Sequence, residues 1–490
     1  MRDNSLEARD LSGVVHGLTD LKQHLDCGPL VIESGKGVWV TDTRGRRYIE
    51  AMSGLWCVSL GWGEERLANV AAEQMKTLAY YHLTNHRSHP PVIELAEKLI
   101  SIAPSPMARV WFASTGSEAN DCAVRLAWYH WDAQGMPEKR KIIAHTLAYH
   151  GNTIVAASMS GVDYTHNGFG LPLPGFLHVE CPHHWKNARP GESEEQYSAR
   201  LVADLETLIL SEGPDTIAAF FTEPVMAAGG IVVPPNGYFE GLQKLLDRYD
   251  ILLGVDEVVT AFGRLGDMFG STTMGLKPDL LICAKALSSA YIPISAVMIA
   301  PRVWDSMVAQ SENRGVLGLT MTYSGHPVAA AVAREALRIY EEEEIPQRVR
   351  RLEGRFLGGL RELGRKHRLV GEVRGRGLLA GVELARDTSG ESPFPREMKV
   401  GPLAQDIGEK HGLMFRAIGD TLAFCPPLVI SESEIDELLA RLETTLDETD
   451  IALRGRRGPR TPYPPAAALL VRDQESPVRS DPGCGPRDEM

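Results

Sequence analysis

The sequence predicts an α/β fold: a large domain with a mostly parallel open sheet flanked by helices, plus a small α+β domain. Three observations carry that reading. Short apolar runs bounded by turn residues, such as Lys141-Ile142-Ile143-Ala144, Ile217 to Thr222 and Ile251-Leu252-Leu253-Gly254-Val255, have the continuous hydrophobicity of strands buried on both faces. Segments with helical spacing separate them, Glu118 to Trp131 and Tyr238 to Tyr249 among them, and strand, helix, strand in that order implies right-handed crossovers within one open sheet. The chain has 490 residues, 43% hydrophobic and 23% charged, which suffices for a large core and a smaller second one.

In chain order, residues 1 to 27 are polar and read as an arm or a short helix. From Gly28 to Ile49, alternating segments (Val38 to Asp42, Arg47 to Ile49) predict a small antiparallel sheet that turns at Asp42 to Gly45. Arg109 to Ala113 is strand-like, and the helix after it places Ala119, Cys122, Ala123, Leu126 and Ala127 on one face. Between them, Ser114-Thr115-Gly116-Ser117 is a small-residue turn opening a helix, where free N–H groups and the positive dipole end can hold a phosphate. Asn167 to Arg200 is rich in Pro, Gly and charge and is expected to be a long excursion. Ile294 to Ala300 is a further strand, and Pro327 to Glu344 a long helix linking the domains. Residues 345 to 450 read as helix, strands, helix, strands, helix. Seven prolines fall between Pro459 and Pro486 among Arg, Gly and Ser, so residues 451–490 are expected to be a disordered tail.

The chemistry concentrates between Ile251 and Ala286. Two apolar runs there each lead to one charged residue, Asp256 and Lys285, and such strand ends face the crevice where α/β proteins bind ligands. A buried carboxylate and a buried amine are both costly unless satisfied, so the pair suggests a shared ligand. Pyridoxal 5'-phosphate (PLP) fits both: a lysine carries its aldehyde, and an ionised aspartate keeps its ring nitrogen protonated. A helix-capping Asp and a Lys reaching out to water would account for the same two residues.

The wider wording, Asp256-Glu257-Val258 with Thr260 and Phe262-Gly263-Arg264, then Ala284-Lys285-Ala286-Leu287, resembles the signature of the class III (omega) aminotransferases, a PLP fold-type I family. The resemblance extends over about residues 28 to 445 and implies a small domain built from both chain ends: residues 1–65 and 328–450 around a large PLP-binding domain of residues 66–327. It implies that Lys285 and Asp256 are catalytic. Thr115, Gly116 and Ser117 would hold the phosphate, Tyr149 of Tyr149-His150-Gly151 and Val258 the two faces of the ring, and Glu223 would reach the cofactor site. Trp56 would line the substrate pocket with Tyr149. Arg416 would be a mobile carboxylate-binding arginine in a short segment between a helix and a strand, able to swing toward Glu223 or solvent. Thr322 would cross a dimer interface to the partner's phosphate, and Tyr80 to His89 would approach the partner's pocket. Ala261 and Leu265 depart from the usual glycine and threonine of the family, and Thr84 and Met321 stand where bulky aromatics are common.

Net charge of -13 argues against nucleic acid or anionic membrane as a partner. Seven scattered cysteines argue against a disulfide framework, and the acidic, polar first residues against an ordinary signal peptide, so a cytoplasmic protein is expected. Two histidine groups, His82, His86 and His89, and His183-His184 beside Cys181, invite a metal reading, but neither has further ligands nearby in sequence, and no metal is expected. The expected activity is transfer of an amino group from an amine or ω-amino acid to a 2-oxoacid such as pyruvate, with ping-pong kinetics, by a homodimer or tetramer. Other class III chemistry is the alternative: a 4-aminobutyrate or β-alanine transaminase, an aminomutase or a decarboxylase. A non-catalytic PLP-fold binding protein is a rival of another class, which the presence of Lys285, Asp256, Tyr149 and Thr322 together disfavours.

Overall fold

The computed structural model describes residues 4–386 and 392–455. Its strands in chain order are β1 (Ile32–Lys36), β2 (Trp39–Asp42), β3 (Arg47–Glu50), β4 (Arg109–Ala113), β5 (Lys141–His145), β6 (Phe176–Val179), β7 (Ile217–Thr222), β8 (Leu252–Asp256), β9 (Leu280–Cys283), β10 (Ser295–Ile299), β11 (Val370–Arg376), β12 (Leu379–Leu384), β13 (Leu413–Met414), β14 (Arg416–Ile418) and β15 (Thr421–Phe424). A seven-stranded sheet runs β4-β10-β9-β8-β7-β5-β6. Every pair from β9 to β6 is parallel, and β10 alone runs against both its neighbours. The expected mixed α/β sheet, mostly parallel, is therefore present.

The central strands are apolar throughout because helices cover both faces. All residues of β7, β8 and β9 are buried. On one face the helix Gly116–Ala133 contributes Ala119, Cys122, Ala123, Leu126 and Ala127, all fully buried, as its 3.6-residue period requires. On the other, Glu194–Glu212 and Tyr238–Arg248 pack Leu201, Leu205, Leu242 and Leu245 over Phe220 and Leu253. Each such leucine contributes about 2 kcal/mol of burial.

Two four-stranded sheets complete residues 4–450. In the first, β1, β2 and β3 form the expected antiparallel ladder, and β13 adds to β3 in parallel, so the two ends of the chain share one sheet. The second, β11-β12-β15-β14, is antiparallel.

Several expectations need correction. Asn167 to Arg200 contains β6, the edge of the main sheet, and the start of the helix Glu194–Glu212. Flanking Pro and Gly hid a strand only four residues long. The expected helix from Pro327 to Glu344 is present and ends two residues earlier, at Glu342; the next expected helix, Ile345–Lys366, begins after Glu344, which takes a left-handed φ of 50°. The polar first segment forms two short helices, Leu6–Gly13 and Leu21–Cys27. The last helix, Glu432–Gly455, runs past residue 450, where the tail was expected to begin; the rest of that tail, residues 456–490, lies outside the described residues. No described helix is long and apolar enough to cross a membrane.

Candidate active site

The carboxyl ends of β5, β7, β8 and β9 open into a cavity of about 570 Å³. This is where an open parallel sheet presents its side chains to a ligand. Every site residue expected from the sequence lines it except Thr322, which is exposed elsewhere on the chain.

Asp256, the last residue of β8, is 4% exposed and fully engaged. Its Oδ2 accepts from His150 Nδ1 and from the side-chain amide of Asn120, each at 2.8 Å, and its Oδ1 accepts from the Val258 backbone N–H at 3.0 Å. Asn120 also donates to the His150 carbonyl, so the carboxylate is fixed from three directions. Next to it Glu223, just past β7, accepts from the backbone N–H groups of Tyr149 and Ala227. Burial pushes the Glu223 carboxyl up to about 7, and the charge of Asp256 acts in the same direction. Lys285, two residues beyond β9, has a left-handed φ of 43°. Such conformations in a non-glycine residue are costly and gather at functional sites. Burial lowers its ammonium pKa, with Cys57 and Asp256 opposing.

Facing these groups is the start of the helix Gly116–Ala133. Thr115 is its N-cap: its hydroxyl accepts from Glu118 N–H, while the Glu118 carboxylate accepts from the N–H groups of Ser114 and Thr115. Ser117 Oγ accepts from Asn152 N–H. Gly151 is required here, since a Cβ would stand 2.4 Å from Ser117 Oγ at a φ of 136°.

The outer wall is built differently. Trp56 is 3% exposed and has a φ of 65°, in a turn where Ser53 and Gly54 also have positive φ. Its neighbour Leu55 is 60% exposed. Arg416 is the first residue of β14, a strand of three residues between a helix and β15, because its backbone pairs with Ala423. Its guanidinium lies beside the Tyr164 hydroxyl and makes no ion pair among the described residues; Glu223, toward which it could swing, accepts from two backbone N–H groups.

Sequence reasoning missed Asn120, Tyr164, and Gly17 and Leu18, which also line the cavity. Asn120 carried a legible signal, a polar residue beside the buried Ala119 and Cys122. Glu257 was also passed over: fully buried, it accepts from Thr260, Gly270 and Ser271 and holds the loop after β8. The departures at Ala261 and Leu265 leave the site intact. Ala261 has no positive φ, and Leu265 is buried in the apolar cluster that holds Trp56. The histidine groups weighed for metal do not assemble as ligand sets among the described residues. His89 instead caps a helix and bonds to the Gly325 carbonyl, and His183 bonds to Glu372.

A lysine and a fixed aspartate at adjacent strand ends, facing a helix N-terminus, suit the aldehyde, ring nitrogen and phosphate of PLP. Fold and site define a PLP enzyme of fold type I. The chain belongs to the class III aminotransferases: the family model described as "Aminotransferase class-III" matches residues 22–446. It is 45% identical over 454 residues to gamma-aminobutyrate transaminase 1, mitochondrial, of Oryza sativa subsp. indica, covering 92% of this chain and 87% of that one. It is 46% identical over 426 residues to gamma aminobutyrate transaminase 3, chloroplastic, of Solanum lycopersicum, covering 87% and 82%. Among solved structures, the omega transaminase of Pseudomonas jessenii in complex with PMP is 46% identical and superposes with a TM-score of 0.91, over 92% of this chain and 100% of that one. The protein is a PLP-dependent aminotransferase acting on small-molecule amines and oxoacids.

Proposed function

We propose that this pocket takes an amine as donor and a 2-oxoacid such as pyruvate as acceptor, with Arg416 choosing between them. The observation that carries this is an arginine on the cavity wall that lies beside a tyrosine hydroxyl and makes no ion pair among the described residues. A guanidinium locked in an ion pair would be unavailable; one on a neutral partner can turn to fork onto an acceptor's carboxylate and turn away when an apolar amine enters.

PLP, when bound, supplies an electron sink and carries the amino group between the two substrates. Lys285 would hold its aldehyde, Asp256 its ring nitrogen, Tyr149 and Val258 its faces, and Thr115, Gly116 and Ser117 its phosphate. His150 and Asn120 orient the Asp256 carboxylate. Lys285, its ammonium pKa lowered by burial, would be the base that moves a proton between the substrate carbon and the carbon of the cofactor's aldehyde. Trp56 limits the space for the donor's substituent.

The identity to gamma-aminobutyrate transaminases supports a second reading, an ω-amino acid donor whose distal carboxylate Arg416 would hold. One panel separates the two: simple amines and ω-amino acids, each against pyruvate and 2-oxoglutarate. Turnover of uncharged amines with pyruvate supports the first. Turnover confined to ω-amino acids establishes the second.

The active unit of this reading is a homodimer with Thr322 serving the partner's phosphate, and the small domain drawn from residues 1–65 and 328–450. Supporting it, the Tyr80 hydroxyl donates to the Thr322 carbonyl at 2.8 Å, so the two segments assigned to the partner's pocket sit together, with Tyr323 63% exposed beside them. A fully active monomer in light scattering would overturn it.

A further inference from the structure

Among the described residues, one group of three His, Cys, Asp or Glu side chains has the spacing of metal ligands, and it lies outside the site above: Asp10, His16 and His24. Asp10 is on the helix Leu6–Gly13, His16 in the connection that follows, and His24 on the helix Leu21–Cys27. His16 Nε2 is 2.9 Å and His24 Nε2 3.5 Å from the same oxygen, Asp10 Oδ1, and all three ligand atoms fall within 4.8 Å of one another. Ligands at about 2.0–2.2 Å around one tetrahedral ion stand roughly 3.3 Å apart, so these separations bracket what a single cation needs. The two imidazole centroids are only 4.2 Å apart.

A hydrogen-bonded Asp–His pair with a second ring beside it would explain His16. It leaves His24 unexplained. His24 Nε2 is buried, has no hydrogen-bond partner, and lies 3.5 Å from a carboxylate oxygen that already serves another ring. A buried polar atom without a partner is costly. A cation between the three satisfies both imidazoles and the carboxylate together, and two imidazoles with one carboxylate suit zinc and its neighbours better than calcium or magnesium.

We propose that Asp10, His16 and His24 form a binding site for a divalent transition-metal cation of the zinc class, which staples the N-terminal arm. The consequence reaches the pocket. Gly17 and Leu18, immediately after His16, line the active-site cavity, Leu18 at a φ of 53° and 64% exposed. Joining the helices on either side of this connection fixes the part of the arm that lines the cavity.

The test uses the full-length, cofactor-loaded enzyme, dialysed against a chelator and titrated calorimetrically with zinc chloride. The expected result is saturable binding of one ion per chain, weakened at least about tenfold in His24→Ala and in Asp10→Asn, since loss of even an outer-sphere partner costs that much. Unchanged cofactor absorbance shows that the variants are folded. Zinc should also slow tryptic cleavage after the exposed Lys22 in the parent and not in His24→Ala. Absence of saturable binding, or equal binding by the double variant His16→Ala/His24→Ala, overturns the site. Binding that leaves cleavage unchanged overturns the staple.

Discussion

The floor and the outer wall of the cavity are held in opposite ways. On the floor, His150, Asn120 and Val258 fix Asp256, Glu223 is spanned by two backbone N–H groups, and Asp256 and Glu223 are each 4% exposed. On the wall, Leu18 is 64%, Leu55 60% and Tyr164 42% exposed, and Arg416 lies beside Tyr164 with no ion pair among the described residues. Buried polar groups must be satisfied completely and so have one arrangement, whereas partly exposed ones can exchange a protein contact for water at little cost. The floor is therefore suited to a fixed reaction and the wall to a choice of substrates.

Floor substitutions should stop chemistry whatever the substrate. Lys285→Ala is expected to have the largest effect, a loss of about 10⁴-fold or more in turnover with every donor, together with loss of the visible absorbance of lysine-bound cofactor. Ordinary turnover by that variant would falsify its role as base and anchor. Asp256→Asn keeps the shape but not the charge, and should still bind PLP while the rate of both half-reactions falls by about 10²–10³-fold. A rate within a few-fold of the parent would remove the contrast between floor and wall.

Wall substitutions should separate the substrates. Arg416→Ala is expected to raise the Michaelis constant for pyruvate by roughly 10–100-fold, the worth of a charge-assisted pair, and to change that for an uncharged amine by less than about threefold. Stopped-flow absorbance of each half-reaction gives the two values separately, and equal effects would show that Arg416 makes no choice.

The smallest effect concerns the support of the wall. Glu50, 8% exposed, accepts from the Gly54 N–H at 2.6 Å in the turn that carries Trp56, and burial pushes its carboxyl from 4.5 to about 8. The folded state thus keeps a proton that the unfolded state has lost. Stability from this group is full below pH 4.5 and is lost as pH rises through that window toward 8, by an amount on the order of a few kcal/mol. Thermal melts at about pH 5 and about pH 8.5 should show a decline in the parent that Glu50→Gln flattens. An identical decline in both would assign the pH dependence to other groups.

Much of this was legible in the chain because it depends on local pattern. Continuous apolar runs marked β7, β8 and β9, the 3.6-residue period marked the helix Gly116–Ala133, and the lone charges Asp256 and Lys285 stood out against the strands before them. Local pattern failed where a tertiary partner supplies the stability. β6 is four residues between turn formers and exists because β5 offers it an edge, and β14 forms at Arg416 because β15 pairs with it. Neither has a hydrophobic run long enough to announce itself.

The sequence by itself determined the layers, the candidate site residues and the family, since these rest on periodicity and on residue types whose burial is costly without a ligand. Only the tertiary structure decided who holds whom. Asn120 meets Asp256 from 136 residues away, Glu223 serves backbone rather than arginine, Tyr164 meets Arg416, and Asp10 gathers His16 and His24. Hydrogen bonds and ligand sets are contacts of a few ångströms between side chains whose proximity follows from packing, so no spacing along the chain could have shown them.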